Sequence, residues 1–471
     1  MWQTIAAPTV KRYYGSALQM PDGRVLVVGG GSGNGGCCRD SEIYDPSSNI
    51  WTPLGPINPT YGISYPVMLP DEAGAWLVLG GGNPTRITMD EGQGSVYRLD
   101  TSSRSSTLLA SLQSITSPPL PSDLSLSGQT AIEALDDQHL LFVNFWDQSS
   151  ARASDRTLTV DRKTWVPVLG PPLEQAARKR LMVKLTDGRL LVLGGMFWWE
   201  YFDGGTRQWQ RADVKNILES AALSPGQGQF ERLGATKAHF MRPHSQLLAL
   251  PDGSALAVGG TDATLNVYTN ETLVESFEPR TNAWTPRGSS ISPRAFSAVQ
   301  WVRDSMVLLA GGGRGDAKMP SQTADILDLA TGRWYDAGPM SVPRIGAASV
   351  RLADGRILVI GGTKPAPPRS SPSTPTPSLP PDTSPWSRAA HAAETLGWAG
   401  QSPQPLPGAP SSPGAAAVAA SPPAPPAIDG HGRAGYTAAR HVVVVFPTVA
   451  PDEGRSTRLG LPPDRPGELR R

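Results

Sequence analysis

Seven segments of the chain repeat one pattern, in which an apolar strand, a tight turn and a second apolar strand are followed, in six of the seven, by paired glycines. A second unit follows most copies and runs from an acidic or aliphatic strand through a turn to a tryptophan. Repeats at a pitch of roughly 50 to 65 residues bury their apolar faces only against neighbouring repeats. The pattern predicts an all-β fold with four short strands in each repeat. The seven copies end at Gly30, Gly81, Phe145, Gly195, Gly260, Gly312 and Gly362.

The fixed order of diglycine, a Tyr-Asp-Pro-like turn and tryptophan resembles the kelch motif, a four-stranded blade of a β-propeller. The resemblance covers residues 1–363 and implies a kelch-type propeller of seven four-stranded blades. Glycine leaves no Cβ where neighbouring backbones approach, and tryptophan supplies a large apolar face for packing between blades. We therefore assign the repeated glycines and tryptophans to the scaffold.

The two ends of the chain bear on how the ring closes. There are seven units of first and second strands but six of third and fourth strands, and Trp2 fits the outer strand of the last blade. Residues 364–430 are rich in Pro, Ala and Ser, which favours a disordered, extended linker. In the tail, 431–471, only residues 441–446 have strand character, and they could return to the last blade. The alternative is a partly open blade with a disordered tail.

Composition excludes several classes of partner. The chain has 42 Lys and Arg against 41 Asp and Glu, so its net charge of +1 does not favour nucleic acid. Its apolar runs are far shorter than the ~20 residues that span a bilayer, so we expect no membrane insertion. We expect a monomer in the cytoplasm, or a secreted one if a leader was removed, because no signal peptide is visible. The adjacent Cys37 and Cys38 are two loop thiols, a vicinal disulfide or a soft metal site.

Loop lengths predict which face of the propeller is functional. In an antiparallel four-stranded blade, the connections from strand two to three and from one blade to the next lie on one face. These connections are long and dissimilar, the longest being those between blades at 108–128 and 210–242, whereas the turns on the other face are short. Long loops on a rigid scaffold commonly carry binding sites, and arginine binds carboxylates bidentately. We therefore predict a protein or peptide partner on this long-loop face, the alternative being a solvated surface with salt bridges within blades. The predicted binding residues are Arg39, Asp40, Arg86, Asp90, Glu91, Asp147, Arg152, Arg156, Arg242, His244, Asp262, Arg314, Asp316 and Arg344.

An enzymatic alternative rests on a second resemblance. The segment Arg242-Pro243-His244-Ser245 is similar to a Tyr-His-Ser stretch at the copper site of galactose oxidase, whose propeller is also kelch-type. Pro243 stands where that family has a ligand tyrosine, and the cross-linked cysteine and tyrosine have no counterpart. We therefore assign no catalytic residue, metal or cofactor. The alternatives are a kelch-fold enzyme, resembling sugar epimerases or metal-dependent members, with Arg242 and His244 at the mouth of the central channel, and a purely structural member.

Overall fold

The computed structural model describes residues 2–31, 38–58, 62–63, 65–71, 74–80, 95–111, 124–125, 130–147, 152–203, 208–240, 245–262, 269–270, 272–290, 294–303, 305–314, 319–364, 437–438 and 443–446. The secondary-structure elements of these residues are all β-strands, which confirms the all-β class. Accordingly, this part of the chain contains no helix long and apolar enough to cross a membrane. The described residues all belong to one compact unit. The predicted linker, 364–430, and most of the tail lie outside the described residues.

Six four-stranded antiparallel sheets, blades 1 to 6, are each built from strands whose order in the sheet is their order along the chain. The first strand of each sheet is innermost. Blade 1 comprises β2 (Ser16–Gln19), β3 (Val25–Val28), β4 (Asp40–Asp45) and β5 (Ile50–Pro56). Blade 2 comprises β6 (Val67–Pro70), β7 (Trp76–Gly80), β8 (Ser95–Asp100) and β9 (Ser105–Ser111). Blade 3 comprises β11 (Ala131–Ala134), β12 (His139–Val143), β15 (Leu158–Asp161) and β16 (Pro167–Leu169). Blade 4 comprises β17 (Leu181–Lys184), β18 (Leu190–Leu193), β21 (Glu219–Leu223) and β22 (Glu231–Ala235). Blade 5 comprises β23 (Ser245–Ala249), β24 (Ala255–Gly259), β27 (Leu273–Glu278) and β28 (Ala283–Ser289). Blade 6 comprises β29 (Ala298–Arg303), β30 (Met306–Ala310), β33 (Ala324–Asp328) and β34 (Arg333–Asp336).

A seventh four-stranded sheet, blade 7, combines strands from both ends of the chain. From the inside outwards it contains β35 (Ala348–Arg351), β36 (Ile357–Ile360), β39 (Val443–Phe446) and β1 (Gln3–Ile5). The strand expected at 441–446 thus lies between β36 and the N-terminal strand, which is outermost. The innermost strands contact one another in blade order, and β35 contacts β2, so the sheets form a closed ring.

The outer half of blade 4 differs from the prediction. We expected its third and fourth strands in the segment ending at Trp209, but β19 (Met196–Asp203) and β20 (Gln208–Asn216) form a hairpin outside the blade. The third and fourth strands are β21 and β22, in a stretch that we had interpreted as a connection between blades. The small Ala222 packs against Leu191, Leu233 and Phe277 in the layer between blades 4 and 5.

The hydrophobic core lies between neighbouring blades. The second strands are almost entirely apolar because both of their faces are covered, and all four side chains of β3 are fully buried. Between blades 2 and 3, for example, Leu79 and Val96 pack with Phe142 and Trp165. The core is therefore a ring of similar layers.

Where paired glycines follow a second strand, they join that blade to the next. Gly29 and Gly30 follow β3 with φ angles of 60° and 100°, a region that glycine adopts readily. The amide of Gly30 donates to the Ile63 carbonyl of blade 2 at 2.7 Å, and a Cβ at Gly29 would collide with the same oxygen. The amide of Gly362 donates to the Arg12 carbonyl at 3.0 Å, which closes the ring. These contacts support the scaffold role predicted for the glycines.

Candidate partner-binding face

The connections from second to third strand carry additional hairpins in blades 3 to 7. A connection at this end of a blade lies on the long-loop face, so all of these hairpins share one face of the ring. The paired strands are β13 (Trp146–Asp147) with β14 (Arg152–Ala153), β19 with β20, β25 (Thr261–Asp262) with β26 (Thr269–Asn270), β31 (Gly313–Arg314) with β32 (Met319–Pro320), and β37 (Thr363–Lys364) with β38 (Thr437–Ala438).

Three of the long connections combine into one sheet. The short β10 (Leu124–Ser125), from the connection between blades 2 and 3, pairs with β13, and β14 pairs with β19 through Arg152 and Trp199. The result is a five-stranded sheet in the order β10-β13-β14-β19-β20. Backbone hydrogen bonds thus hold the connections of blades 3 and 4 against each other.

Aromatic side chains of blades 1, 2 and 6 lie together beside the end of the central channel on the same face. Tyr14, Tyr65 and Phe296 each lie two residues before an innermost strand, with φ angles of 55°, 49° and 59°. Positive φ is unfavourable for bulky residues, and such conformations cluster at functional sites. The ring centroids of Tyr14 lie 5.0 Å from Tyr65 and 5.3 Å from Phe296, and Tyr13 lies 5.1 Å from Tyr14. We call these four residues the aromatic collar.

A glycine in blade 7 allows the collar to form. Gly346 occupies the position equivalent to Tyr14, two residues before β35, with a φ of 66°. A Cβ at Gly346 would collide with the ring of Tyr14, so the missing side chain lets Tyr14 reach across blade 7 to Phe296. Sequence reasoning missed the collar, although an aromatic residue two positions before an apolar strand recurs in Tyr14, Tyr65 and Phe296.

A cavity of about 330 Å³ lies in the central channel next to the collar. Its lining consists of Tyr14, Tyr65 and Phe296 together with apolar and polar residues in or just before the innermost strands, and none of the described lining side chains is charged. Such a lining can offer hydrogen bonds and apolar contacts. The polar lining residues are Ser16, Ser245, Gln246, Ser297 and Ser349.

Comparison with known families agrees with this architecture. The kelch motif matches residues 12–58, which include all four strands of blade 1. The chain is a β-propeller that carries a kelch motif. No curated protein shows significant similarity to this kelch propeller.

The kelch propeller places several predicted binding residues on the long-loop face. Arg39 and Arg152 are exposed, and Asp40 and Arg156 are half-buried. Asp147 lies opposite Arg152 in the register of β13 and β14. Two more predicted residues belong to the backbone of hairpin strands, Asp262 in β25 and Arg314 in β31. Six others lie outside the described residues: Arg86, Asp90, Glu91, Arg242, His244 and Asp316. The enzymatic alternative, which depends on Arg242 and His244, therefore stays a prediction.

Arg344 differs from the expectation. We predicted it among the binding residues of the long-loop face, but its side chain is 2% exposed and its Nη1 donates to the Gly361 carbonyl of its own blade. Arg12 and Arg294 also open inner strands, and both are buried and paired with carboxylates, Glu42 and Asp325. Burial lowers the pKa of the Arg344 guanidinium to about 10. These arginines belong to the scaffold because each is long enough to reach back into its own blade.

The cysteine pair precedes β4. Cys38 is buried, and its thiol donates to the Lys11 carbonyl at 3.0 Å, whereas Cys37 lies outside the described residues. In the part of the chain that the structure describes, no three His, Cys, Asp or Glu residues form a group that could hold a metal ion. A disulfide or metal site at the pair remains an untested alternative.

Proposed function

We propose that this kelch propeller binds a protein or peptide partner on its long-loop face. One observation carries the proposal: the additional hairpins of blades 3 to 7 lie on the face where the aromatic collar lines the end of the channel. Hairpins held by a rigid ring offer a shaped surface with little ordering cost on binding. On the opposite face the described connections are short turns, such as the one around Asp22 and Arg24.

The chemistry of this face suits a peptide with both apolar and acidic groups. Tyrosine is enriched at the centres of interfaces because its ring is apolar and its hydroxyl can hydrogen bond. The collar would contact the apolar part of the partner. Exposed arginines around it, Arg39 and Arg152, would pair with carboxylates at the rim, where charges influence the association rate more than the affinity.

The proposal can be tested by selecting peptides from a displayed library on the full chain and measuring their affinity for variants. Tyr14→Gly removes one aromatic ring of the collar. Blade 7 already has glycine at the equivalent position, Gly346, so the backbone conformation is compatible with this change. We expect the loss of a central aromatic group to weaken binding at least about tenfold. Arg152→Glu should slow association with acidic peptides.

The matched control is Arg280→Glu, because Arg280 is 90% exposed on the short turn between β27 and β28, on the opposite face. This variant changes the charge as Arg152→Glu does, and we expect it to leave affinity unchanged. If peptide binding depends on Arg280 but not on Tyr14 or Arg152, the binding surface lies on the opposite face and the proposal is wrong.

A further inference from the structure

Blade 7 buries an arginine that lacks a partner present in other blades. Arg12, Arg294 and Arg344 each precede the first glycine of their own diglycine by 17 residues, and Nη1 of each donates to that glycine's carbonyl. Nη2 of Arg12 donates to Glu42 at 2.6 Å, and Nη2 of Arg294 to Asp325 at 2.5 Å. Among the described residues, Nη2 of Arg344 has no hydrogen-bond partner.

The missing partner corresponds to one position in the blade. In blades 1, 5 and 6, the residue two positions before the first glycine pairs across the ladder with a carboxylate on the third strand. The equivalent residue of blade 7 is Val359, and it pairs with Val444. A valine therefore stands where three other blades have an acid. The three acidic pairs are Val27 with Glu42, Ala257 with Glu275, and Leu309 with Asp325.

The consequence is that the guanidinium of Arg344 carries a buried positive charge with no carboxylate among the described residues to pair with it. A buried guanidinium without a counter-ion is costly, since it loses water and gains no opposite charge in return. Blade 4 shows a milder case, because Nη2 of Arg180 donates to the Gln175 carbonyl at 2.7 Å. The third-strand position of blade 7 is therefore complementary to a strand that carries a carboxylate, and β39 does not supply one.

The present occupant also comes from far along the chain. In blade 1, residues 29–39 separate the second and third strands, whereas in blade 7 residues 361–442 do. Loop-closure entropy rises with the length of the connection, so β39 competes less well for its position than a local third strand would. Both considerations indicate that β39 can be replaced.

We propose that the third-strand position of blade 7 is a binding site for an extended segment of another polypeptide that carries an Asp or Glu opposite Val359. The segment takes the place of β39 between β36 and β1, and its backbone forms hydrogen bonds with the backbones of both strands. Its carboxylate accepts a charge-assisted hydrogen bond from Nη2 of Arg344, which selects an acidic segment over a neutral one. This site is separate from the long-loop face.

The first test uses a peptide that already has the required chemistry, the third strand of blade 6 (residues 323–329, Thr-Ala-Asp-Ile-Leu-Asp-Leu). Its matched control replaces Asp325 with Asn. We expect the fluorescently labelled acidic peptide to bind the full chain about tenfold more tightly than the Asn peptide in an anisotropy titration. Equal affinities, or no binding of either peptide, would overturn the proposal.

A second measurement locates the site. Val444→Asp supplies the carboxylate from the chain itself, so this variant should lose at least about tenfold in affinity for the acidic peptide, whereas Val444→Asn should not. Undiminished binding to Val444→Asp would show that the peptide binds elsewhere and would contradict the assignment.

Thermal unfolding tests the arginine without any peptide. Val444→Asp should melt about 2–4 °C above Val444→Asn, because only the charged side chain can pair with Arg344. The difference should vanish when both are combined with Arg344→Met. If Asp and Asn melt alike in the presence of Arg344, the arginine does not select a carboxylate at this position.

Discussion

At the scale of single residues, buried arginines connect strands that lie far apart along the chain. The Arg12 guanidinium holds β4 through Glu42 and also donates to the carbonyls of Gly29 and Asp40, while its own carbonyl accepts from Gly362 of blade 7. One residue thus fixes the inside of blade 1 and its contact with blade 7. Because Arg12 and Glu42 are both buried, water does not screen their attraction.

Glu42→Gln should therefore lower the free energy of unfolding by about 3 kcal/mol, since it leaves the buried Arg12 without a counter-ion. Urea unfolding would measure the change. Asp22→Asn is the matched control, because it neutralises an acid whose pair with Arg24 is largely exposed, and it should cost less than about 1 kcal/mol. Similar small losses in both variants would mean that the buried pair contributes little.

At the scale of elements, the end of each second strand determines how blades join. The first glycine of a pair touches the backbone of the next blade, and the second donates to it. The same scale explains the error at Trp209. A turn followed by tryptophan marks two paired strands but does not say which sheet they join. The strand that pairs with β18 is β21, whose Ala222 packs in the layer between blades 4 and 5.

Two glycines with positive φ separate the effect of this contact from that of backbone conformation. Gly29 abuts Ile63, whereas Gly23, in the turn before β3, has a φ of 85° and open space around it. Gly23→Ala should cost about 1 kcal/mol for the left-handed conformation alone. Gly29→Ala should cost at least about 3 kcal/mol, because the backbones must also separate. Equal losses of urea stability would argue against a tight contact between blades.

At the scale of the whole molecule, both ends of the chain close the ring. β1 pairs with β39, and the Trp2 indole donates to the carbonyls of Ala337 and Gly338 in the neighbouring blade 6 at 3.0 and 2.9 Å. Trp2 also packs against the layer between blades 6 and 7. The N-terminal strand thereby covers an edge that would otherwise be open to other strands.

Deleting residues 2–5 should therefore destabilise the whole ring. We expect a clear drop in melting temperature and more aggregation on heating, because β39 becomes an exposed edge. Trp2→Phe keeps the strand but removes the indole hydrogen bonds, so it should cost only about 1 kcal/mol. A deletion no more harmful than Trp2→Phe would contradict closure through the N-terminal strand.

The sequence by itself determined the class of fold and the sites of the glycine contacts, because a strand covered on both faces must be apolar throughout and a close backbone approach requires glycine. It also predicted an outer strand at Trp2, since an open blade would leave an edge. Only the tertiary structure decided which hairpin belongs to blade 4, that Tyr14 crosses Gly346 to reach Phe296, and that Arg344 turns inward. These outcomes depend on which residues of distant repeats become neighbours, and spacing along a chain does not carry that information.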